Sequence, residues 1–307
     1  MGTEHRRRCG TQPRLAWNVG VNLWKTKNKV GRLPDKEREQ GILVDNYYKL
    51  QEGESFYDFW LYQYEGVDQM TGQAVYRPDY NVYFIADSEG RPVNADEDVT
   101  GRKALAPEEW TEINGEYYVG KPQYAGKGRC GNALPKINGS ITTSLRWKDL
   151  TLSALMNFSC GSKVLDLPYR TLMSTATVHA LSSDLAKAWN GIPEGMTETS
   201  PCRIDPDGVP QVNYDTTING YNSPEASSRY LVSGNYFTLK NVTLAYRLPA
   251  MWSSRLGLGA MRVYGSVENA FLLSKRKGLN PAQSFDGVVR NYTSIARVFT
   301  LGININL

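Results

Sequence analysis

The sequence predicts an all-β fold, namely an antiparallel transmembrane β-barrel segment of about eight strands. Three observations lead to this class. Apolar residues alternate with small or polar ones over stretches of about ten residues, the length of a tilted strand that crosses a bilayer. Short connections between these stretches alternate with long ones. Aromatic residues collect near the predicted strand ends, as in the interfacial girdles of membrane barrels.

The last predicted strand, residues 295–307, shows the alternation most clearly. Every second residue from Ile295 is apolar except Arg297 near the start, and the apolar series ends in Phe299, Leu301, Ile303, Ile305 and Leu307. The interleaved residues are small or polar. A period of two indicates a strand with two different environments. The apolar face contacts either a protein core or lipid.

The remaining elements follow by the same criteria. The predicted strands are residues 15–25, 41–50, 56–65, 137–147, 150–160, 235–248, 260–272 and 295–307. The predicted short turns are residues 51–55, 148–149 and 249–259, and the long loops are residues 26–40, 66–135, 161–234 and 273–293. Within the third long loop, residues 181–189 predict a short helix capped by Ser182 or Ser183.

The order of the connections favours lipid as the partner of the apolar face. If the short turns are periplasmic and the long loops extracellular, no strand is missing and none is surplus. A soluble sandwich has no reason to separate its loops by length. The residues predicted to face lipid are Ile141, Leu145, Leu150, Leu152, Met156, Leu244, Val263, Val267, Phe299, Leu301, Ile303, Ile305 and Leu307. A soluble all-β carbohydrate-binding or adhesion module, with these residues in its core, stays open as the alternative.

Composition narrows the function classes. Lys and Arg number 35 against 31 Asp and Glu, a net charge of +4 that is too balanced to imply a nucleic-acid partner. No apolar run approaches the length of a transmembrane helix. The sequence carries no nucleotide-binding or hydrolase motif, so no enzyme, cofactor or metal is expected. Residues 205–208 resemble the start of a calcium loop but lack its later ligands, which favours a plain turn. The cysteines lie far apart and predict neither zinc nor a disulfide framework: Cys9, Cys130, Cys160 and Cys202.

The long loops contain aromatic residues that could contact a glycan or a lid protein, because aromatic faces stack on sugar rings. The candidates are Trp110, Tyr118, Trp189, Tyr214, Tyr221 and Tyr292. The alternative is that they pack the loops against each other.

Four motifs near the end of the chain carry a family resemblance. They read YFTLKNVTLAYRLP, LGLGAMRVYGSVENAF, KGLNP and RVFTLGININL. In order and spacing they resemble the carboxy-terminal end of the SusC/RagA family, the TonB-linked outer-membrane transporters of the Bacteroidota. Upstream, FYDFWLYQYEGVDQMTGQAVY and LPKINGSITTSLRWKDLTLSALMNFSCGSKV are similar to further stretches of that family. The resemblance covers residues 15–307, and residues 1–14 lie outside it.

The resemblance implies a larger, 22-stranded barrel with long extracellular loops, short periplasmic turns and a location in the cell outer membrane. It also implies import of oligosaccharides or peptides, a SusD-like lipoprotein lid and energy from the TonB complex. The family's plug domain and TonB box have no counterpart in this sequence, and the amino terminus lacks the apolar segment of a signal peptide. We therefore expect a fragment of a longer protein that does not transport actively on its own.

Two departures from the family pattern concern local chemistry. Family members commonly end in Phe, and this chain ends in Leu307, which is also apolar. The family's Gly-Leu-Asp-Pro is Gly278-Leu279-Asn280-Pro281 here. Because Asn also closes Asx turns, the turn before Pro281 is expected to survive.

Overall fold

The computed structural model describes residues 15–86, 89–93, 98–175, 180–255, 257–290 and 294–306. Its largest element is a six-stranded sheet, called the long sheet below, whose strand order follows the chain. Its strands are Leu15–Trp24, Ile137–Trp147, Leu150–Cys160, Tyr236–Arg247, Met261–Ser274 and Val298–Ile305. Every neighbouring pair is antiparallel. The predicted all-β, antiparallel class is confirmed.

The strands of the long sheet form where the sequence alternates with a period of two, because successive side chains then meet two different environments. The tightest connection is Lys148–Asp149, which leaves Trp147 directly opposite Leu150. Lys148 has a left-handed backbone with φ 53°, as a two-residue hairpin turn requires. The last strand begins at Val298, three positions after the predicted start at residue 295.

Two of the predicted strands do not join the long sheet, so its count is six rather than about eight. Residues 41–50 and 56–65 divide into Ile42–Val44, Tyr48–Leu50, Asp58–Tyr62 and Tyr64–Asp68, which belong to smaller sheets. The physical reason lies in their composition. Aromatic and apolar residues occupy both faces of this stretch, and Phe59 and Leu61 are fully buried. Such a strand suits the interior of a folded body rather than a wall with one polar face.

The three long connections of the long sheet, residues 25–136, 161–235 and 275–297, form a second folded unit, called the loop body below. Its four-stranded sheet consists of Lys127–Asn132, Asp58–Tyr62, Tyr48–Leu50 and Ile42–Val44. Its five-stranded sheet consists of Ile204–Asp205, Tyr64–Asp68, Ala74–Tyr76, Glu116–Val119 and Trp110–Ile113. Its three-stranded sheet consists of Leu231–Ser233, Lys163–Asp166 and Val288–Val289. Its two-stranded sheet consists of Val82–Phe84 and Lys103–Leu105.

Helices are short. The α-helices are Leu167–Leu172 and Thr216–Asn222 in the loop body and Ala250–Arg255 in a connection at the opposite end of the long sheet. The 3₁₀ helices are Asp35–Glu37, Pro107–Glu109, Pro122–Tyr124, Ser183–Lys187, Ser228–Tyr230 and Pro281–Gln283. Within the described ranges, no helix combines the length and the apolar character needed to span a membrane.

Two local predictions of helix and turn chemistry are confirmed. The predicted short helix is the 3₁₀ helix Ser183–Lys187, and the Ser182 side chain caps it by accepting from the Asp184 amide. Asn280 keeps the turn before Pro281, because its side-chain oxygen accepts from the Ala282 amide at 3.2 Å.

The three connections are joined to one another by strand pairing and by ion pairs. Ile204–Asp205 of the second connection pairs with Tyr64–Asp68 of the first. Val288–Val289 of the third pairs in parallel with Lys163–Asp166 of the second. Arg276 Nη1 of the third lies 2.7 Å from the Asp166 carboxylate of the second. The connections therefore fold as one unit.

The hydrophobic core lies in the loop body. Its largest cluster contains Tyr47, Tyr48, Phe59, Leu61, Ala133, Leu165, Met173, Ala226, Tyr230 and Val288. Among the described residues of the long sheet, by contrast, the buried hydrophobic side chain is Ala245 alone. The long sheet consequently has no protein core of its own.

Candidate functional site

The first candidate surface is one face of the long sheet, called the apolar face below. The strand register arranges its side chains in rows across the sheet. One row is Leu15, Trp147, Leu150, Tyr246, Val263 and Ile303, and the next is Trp17, Leu145, Leu152, Leu244, Gly265 and Leu301. The third is Val19, Thr143, Ala154, Val242, Val267 and Phe299. The fourth row is Val21, Ile141, Met156, Leu239 and Phe271. The fifth row is Leu23, Gly139, Phe158, Phe237 and Leu273.

These rows, together with Ile305 opposite Met261, contain every described residue that the sequence predicts to face lipid. Ile141, Leu145, Leu150, Leu152, Met156, Leu244, Val263, Val267, Phe299, Leu301, Ile303 and Ile305 all share the apolar face. Leu307 lies outside the described residues. The face is strongly exposed, since Leu301 is 88% and Phe299 71% accessible. An uncovered apolar surface of this extent marks an interaction site.

Besides the phenol of Tyr246, the described part of the apolar face carries one aliphatic hydroxyl, and it has an indole partner. Thr143 stands in the third row, and its Oγ1 accepts a hydrogen bond from Trp17 Nε1 at 2.8 Å. Without this contact the indole donor would point along an apolar surface with no acceptor, which is costly where water is absent. The aromatic rows at the two ends contain Trp147 and Tyr246 at the short-turn end and Phe158 and Phe271 near the long-connection end.

The opposite face of the long sheet is polar and holds hydrogen bonds between neighbouring strands. Asn22 Nδ2 donates to Ser140 Oγ at 3.3 Å. At the short-turn end, Arg247 lies directly opposite Arg262, and Arg146 lines the same groove of ≈ 410 Å³. Like charges in directly opposed positions destabilise a sheet. The polar face is thus basic at this end.

The predicted contact aromatics divide between the interior and the surface of the loop body. Tyr118 is buried and its hydroxyl donates to Glu116 at 2.8 Å. Trp189 is tied to the first connection, because its Nε1 donates to the Gln69 carbonyl at 2.9 Å. Tyr214 is 77% exposed. Tyr292 lies outside the described residues.

Three of the predicted aromatics, Trp110, Tyr118 and Tyr221, line one cleft of ≈ 350 Å³ in the loop body, called the loop cleft below. Its wall combines the first connection with the helix Thr216–Asn222 of the second. Sequence analysis does not find Asn222, Asp68 or Lys121, which also line the cleft. They come from distant parts of the chain, and no local pattern marks them.

Asp68, Glu109 and Lys121, which line the loop cleft, each have a charged partner within the protein. Asp68 accepts from Arg203 Nε at 2.8 Å and from Arg203 Nη2 at 3.0 Å, and both side chains are buried. Glu109 accepts from Lys121 Nζ at 3.0 Å and from the Tyr124 hydroxyl at 2.8 Å. Burial alone would raise the pKa of Glu109, but these hydrogen bonds outweigh it and lower the pKa.

Burial also sets the proton affinity of the cleft phenol. Burial, followed by the hydrogen bond to Glu116, raises the pKa of Tyr118 to about 12. The phenol is therefore a neutral hydrogen-bonding group at physiological pH. The phenol therefore adds no net charge to a cleft where Asp68, Glu109 and Lys121 are already paired.

Other candidate chemistry in the sequence resolves into local structure. The side chain of Asp205 accepts from the Asp207 amide at 3.0 Å, so residues 205–208 form a plain turn, as the sequence predicts. No group of three or more metal-ligating side chains occurs among residues that the structure describes. The thiols of Cys130, Cys160 and Cys202 are unpaired, and Cys9 lies outside the described residues.

Comparison with known proteins places these features in a family context. No family model matches the chain. TonB-dependent receptor P3 of Formosa agariphila is 24% identical over 312 residues, which cover 96% of this chain and 27% of the receptor. TonB-dependent receptor P39 of the same organism is 22% identical over 285 residues, 87% of this chain and 26% of the receptor. TonB-dependent receptor SusC of Bacteroides thetaiotaomicron is 32% identical over 81 residues, 26% of this chain and 8% of SusC.

Solved structures share the fold. The RagAB peptide transporter superposes with a TM-score of 0.66 at 17% identity, covering 96% of this chain and 28% of the matched chain. The RagAB peptide importer in its "open-open" state gives a TM-score of 0.65 at 16% identity, covering 97% and 27%. The proteins that match most of this chain are longer, and the chain spans about a quarter of their length. These similarities confirm the resemblance carried by the terminal motifs: the chain is SusC/RagA-like, and its long sheet is a segment of a transmembrane β-barrel.

Proposed function

We propose that this chain forms part of the wall and the extracellular loops of a TonB-dependent importer in the outer membrane. The observation that carries the proposal is the apolar face, which extends over six strands and is covered by no other part of the chain that the structure describes. Lipid is the partner that such a face requires, because water would leave its side chains unfavourably solvated. The lipid-facing residues of the proposal are the twelve of the apolar face and Leu307.

The dimensions of the apolar face support a membrane-spanning role. From Leu15 to Leu23 the rows extend about 27 Å along the strand, at ~3.4 Å per residue. A tilt of about 40° reduces this height to about 21 Å, close to the ≈ 25 Å apolar band of outer-membrane barrels. The polar face then lines the barrel interior, and the aromatic end rows lie near the two interfaces.

The separation of the connections gives the orientation. The two-residue turn after Trp147 and the connection after Arg247 lie at one end, and the loop body lies at the other. Outer-membrane barrels keep short turns on the periplasmic side and long loops outside. The loop body is therefore extracellular, and it is the surface that an incoming substrate meets first.

The activity of the whole assembly follows from its relatives. Curated relatives are TonB-dependent receptors, and RagAB is described as a peptide transporter. By analogy the assembly imports oligosaccharides or peptides with TonB as its energy source, and a SusD-like lipoprotein covers the loop body. Import moves a solute without breaking a covalent bond, which agrees with relatives that are receptors and transporters rather than enzymes.

A soluble carbohydrate-binding module is the competing function, and the exposed apolar face argues against it. Such a module needs a second sheet over this face, and in the described part of the chain its side chains stay exposed. Membrane insertion separates the two functions directly.

Nitroxide labels on the last strand test the proposal. In a background with all four cysteines replaced by Ser, labels are attached at positions 299 to 303 of the full chain in lipid vesicles. Labels at 299, 301 and 303 should collide more with oxygen, which concentrates in hydrocarbon. Labels at 300 and 302, the matched neighbours on the polar face, should collide more with a water-soluble nickel chelate. Equal access of the chelate to both sets, with the chain monomeric in detergent-free buffer, would refute the proposal.

A further inference from the structure

The long-connection end of the long sheet carries lysines beside the apolar face. Lys25 follows the first strand, two residues beyond Leu23. Lys275 follows the fifth strand, two residues beyond Leu273. Both leucines belong to the fifth row of the apolar face. Because side chains alternate along a strand, both lysines continue on the side of the apolar face.

These two lysines belong to a set of five, called the basic rim below. All five side chains are exposed, and none has an ion-pair partner among the residues that the structure describes. Residues 16–34 and 269–285 contain no Asp or Glu. The nearly balanced net charge thus conceals a local excess of positive charge. The basic rim consists of Lys25, Lys27, Lys29, Lys275 and Lys277.

The third connection holds its part of the basic rim through an inward-facing arginine. Arg276 Nη1 lies 2.7 Å from the Asp166 carboxylate, and its guanidinium carbon lies 3.5 Å from the centroid of the Tyr169 ring. Lys275 and Lys277, on either side of this arginine, are exposed. The segment is therefore attached to the protein by one cation, and its other two are left for an external partner.

The first connection holds its lysines through the residues between and after them. Asn28 Oδ1 accepts a hydrogen bond from the Phe56 amide at 3.3 Å. The Val30 amide donates to the Glu54 carbonyl at 2.7 Å. These contacts attach the lysine-bearing segment to the rest of the loop body while its lysines stay exposed. Both parts of the basic rim are thus presented by anchored backbone.

The height of the basic rim corresponds to the headgroup layer of a bilayer. Two residues beyond the fifth row span about 7 Å along the strand, at ~3.4 Å per residue. A strand tilt of about 40° reduces this to about 5 Å above the row. The polar layer on each side of the hydrocarbon core is roughly 5–7 Å deep. A lysine stem also extends along apolar surface and keeps its ammonium group in this layer.

We propose that the basic rim binds the phosphate groups of anionic lipids in the outer leaflet of the membrane. The inference rests on the proposed function, since it requires the apolar face in lipid and the loop body outside. Phosphate carries its negative charge in the headgroup layer, where the ammonium groups lie. Lysine binds phosphate as a compact charge with N–H donors. The lipid therefore supplies the counter-charges that the rim lacks within the described protein.

A protein with an acidic surface is the alternative partner, and the arrangement of the lysines disfavours it. The two parts of the basic rim follow the first and fifth strands of the long sheet. Four strand spacings of ~4.8 Å separate them by about 19 Å. The lysines therefore follow the border of the apolar face instead of forming one compact patch. Lipid that covers this face necessarily brings its headgroups to that border.

Lys136 provides a matched comparison at the same end of the sheet. It is exposed like the rim lysines. It directly precedes Ile137, which alternates in phase with Gly139 and Ile141 of the apolar face. Lys136 consequently falls on the polar side. A site for free anions would use it as readily as the rim, whereas a lipid site would not.

Native mass spectrometry of the full chain, released from detergent micelles, tests the inference. The probe is lipid A with two phosphates, and the comparisons are the same lipid without phosphates, inorganic phosphate and hexaglutamate. We expect the phosphorylated lipid to bind more tightly than the dephosphorylated one. This preference should shrink in solutions of high ionic strength before release, because salt screens exposed charges. Equal binding of the two lipids, or displacement of the phosphorylated lipid by equimolar inorganic phosphate or hexaglutamate, would overturn the inference.

Substitutions locate the binding. Lys275→Gln should weaken binding of the phosphorylated lipid about 5-fold, the contribution of one lysine near an anionic membrane surface. Lys25→Gln combined with Lys275→Gln should weaken it about 25-fold. Lys275→Arg keeps the charge and should bind like the unsubstituted chain, and Lys136→Gln should leave the affinity unchanged. Unchanged affinity in the double variant, or an equal loss in Lys136→Gln, would contradict the assignment.

Membrane insertion is scored independently by the nitroxide labels on the last strand. A chain that inserts as expected but shows no preference for the phosphorylated lipid refutes the inference alone. A chain that prefers this lipid in detergent but does not insert into vesicles refutes the proposed function. Failure of both measurements refutes both.

Discussion

The buried ion pair between Asp68 and Arg203 provides the sharpest test of how the loop body is held together. The carboxylate accepts two hydrogen bonds from the guanidinium, at 2.8 and 3.0 Å, and the residues lie 135 positions apart. Asp68 also accepts from the Met70 amide at 3.0 Å and from the Thr71 hydroxyl at 3.2 Å. The pair thus joins the first connection to the second at a turn that Asp68 itself closes.

Asp68→Asn leaves the Arg203 charge buried without a counter-charge. Removal of one partner from a buried pair costs about 3–5 kcal/mol. Since 1.4 kcal/mol is a factor of ten, local opening should increase roughly 10²- to 4 × 10³-fold. Hydrogen exchange measures this at the Gln69 amide, which donates to the Arg203 carbonyl at 2.8 Å. Its protection should fall by that factor, while amides of Leu150–Cys160 in the long sheet keep theirs.

A double variant provides the control. Asp68→Leu combined with Arg203→Met removes both charges together and should recover most of the lost protection, because an apolar pair of similar volume replaces the ion pair at little cost. Recovery stays incomplete, since the Met70 amide and the Thr71 hydroxyl still lose their acceptor. Unchanged Gln69 protection in Asp68→Asn would show that the ion pair does not hold the two connections together.

Three further predictions concern other parts of the molecule. Gly139→Val adds a side chain that overlaps the Phe158 ring across the strand pair, and it should destabilise the long sheet by about 1–3 kcal/mol in urea unfolding in detergent, whereas Ser144→Val on the polar face should cost less. Arg262→Glu turns the opposed Arg247–Arg262 pair into an attractive one and should stabilise the sheet by about 0.2–1 kcal/mol, with a smaller gain at high salt; an equal gain from Arg262→Gln would exclude the attraction. Burial is the largest cause of the raised pKa values of Tyr64, Tyr118 and Tyr169, which lie near 12, above the unfolded value near 10. The resulting contribution to the stability of the loop body is complete below about pH 10 and is lost as the pH rises to about 12. Absorbance at 295 nm that shows these phenols titrating near 10 in the folded protein would contradict this prediction.

The long sheet could be predicted from sequence because its signal is local. Two of its strands, Ile137–Trp147 and Leu150–Cys160, have the predicted bounds, and the others differ by a few residues. Alternation with a period of two is a property of each strand alone. It therefore identifies the strand and divides its residues between the two faces before any partner strand is known.

The error in the strand count has an instructive cause. Residues 41–50 and 56–65 were predicted as a pair of wall strands, and removing a pair leaves the alternation of short and long connections intact. The order of connections could not detect the mistake. The aromatic residues on both faces of residues 56–65 were the available signal, because a wall strand needs one polar face. Phe59 and Leu61 show where that signal leads, since both lie in the core of the loop body.

The loop cleft could not be predicted because its residues meet only through long-range folding. Asn222 lines it from the second connection and Trp110 from the first. The aromatic residues of the loops were visible in the sequence, but their separation into buried, cleft-lining and exposed sets depends on packing. Trp189 illustrates this, since its indole donates to Gln69, 120 positions away.

The two parts of the molecule are stabilised in different media, and this explains why the sequence looks hydrophilic and yet belongs in a membrane. The loop body has protein cores built around Phe59, Tyr76 and Tyr230, so it can hold its shape in water. The long sheet places its apolar residues outward, so the free energy of their burial must come from lipid. Pairing between neighbouring strands satisfies the backbone N–H and C=O groups of the long sheet, so no further protein layer is needed to pair them. Removal from the membrane should therefore expose the apolar face to water and destabilise the long sheet first. Ion pairs between the connections, such as Asp68 with Arg203, should keep the loop body folded.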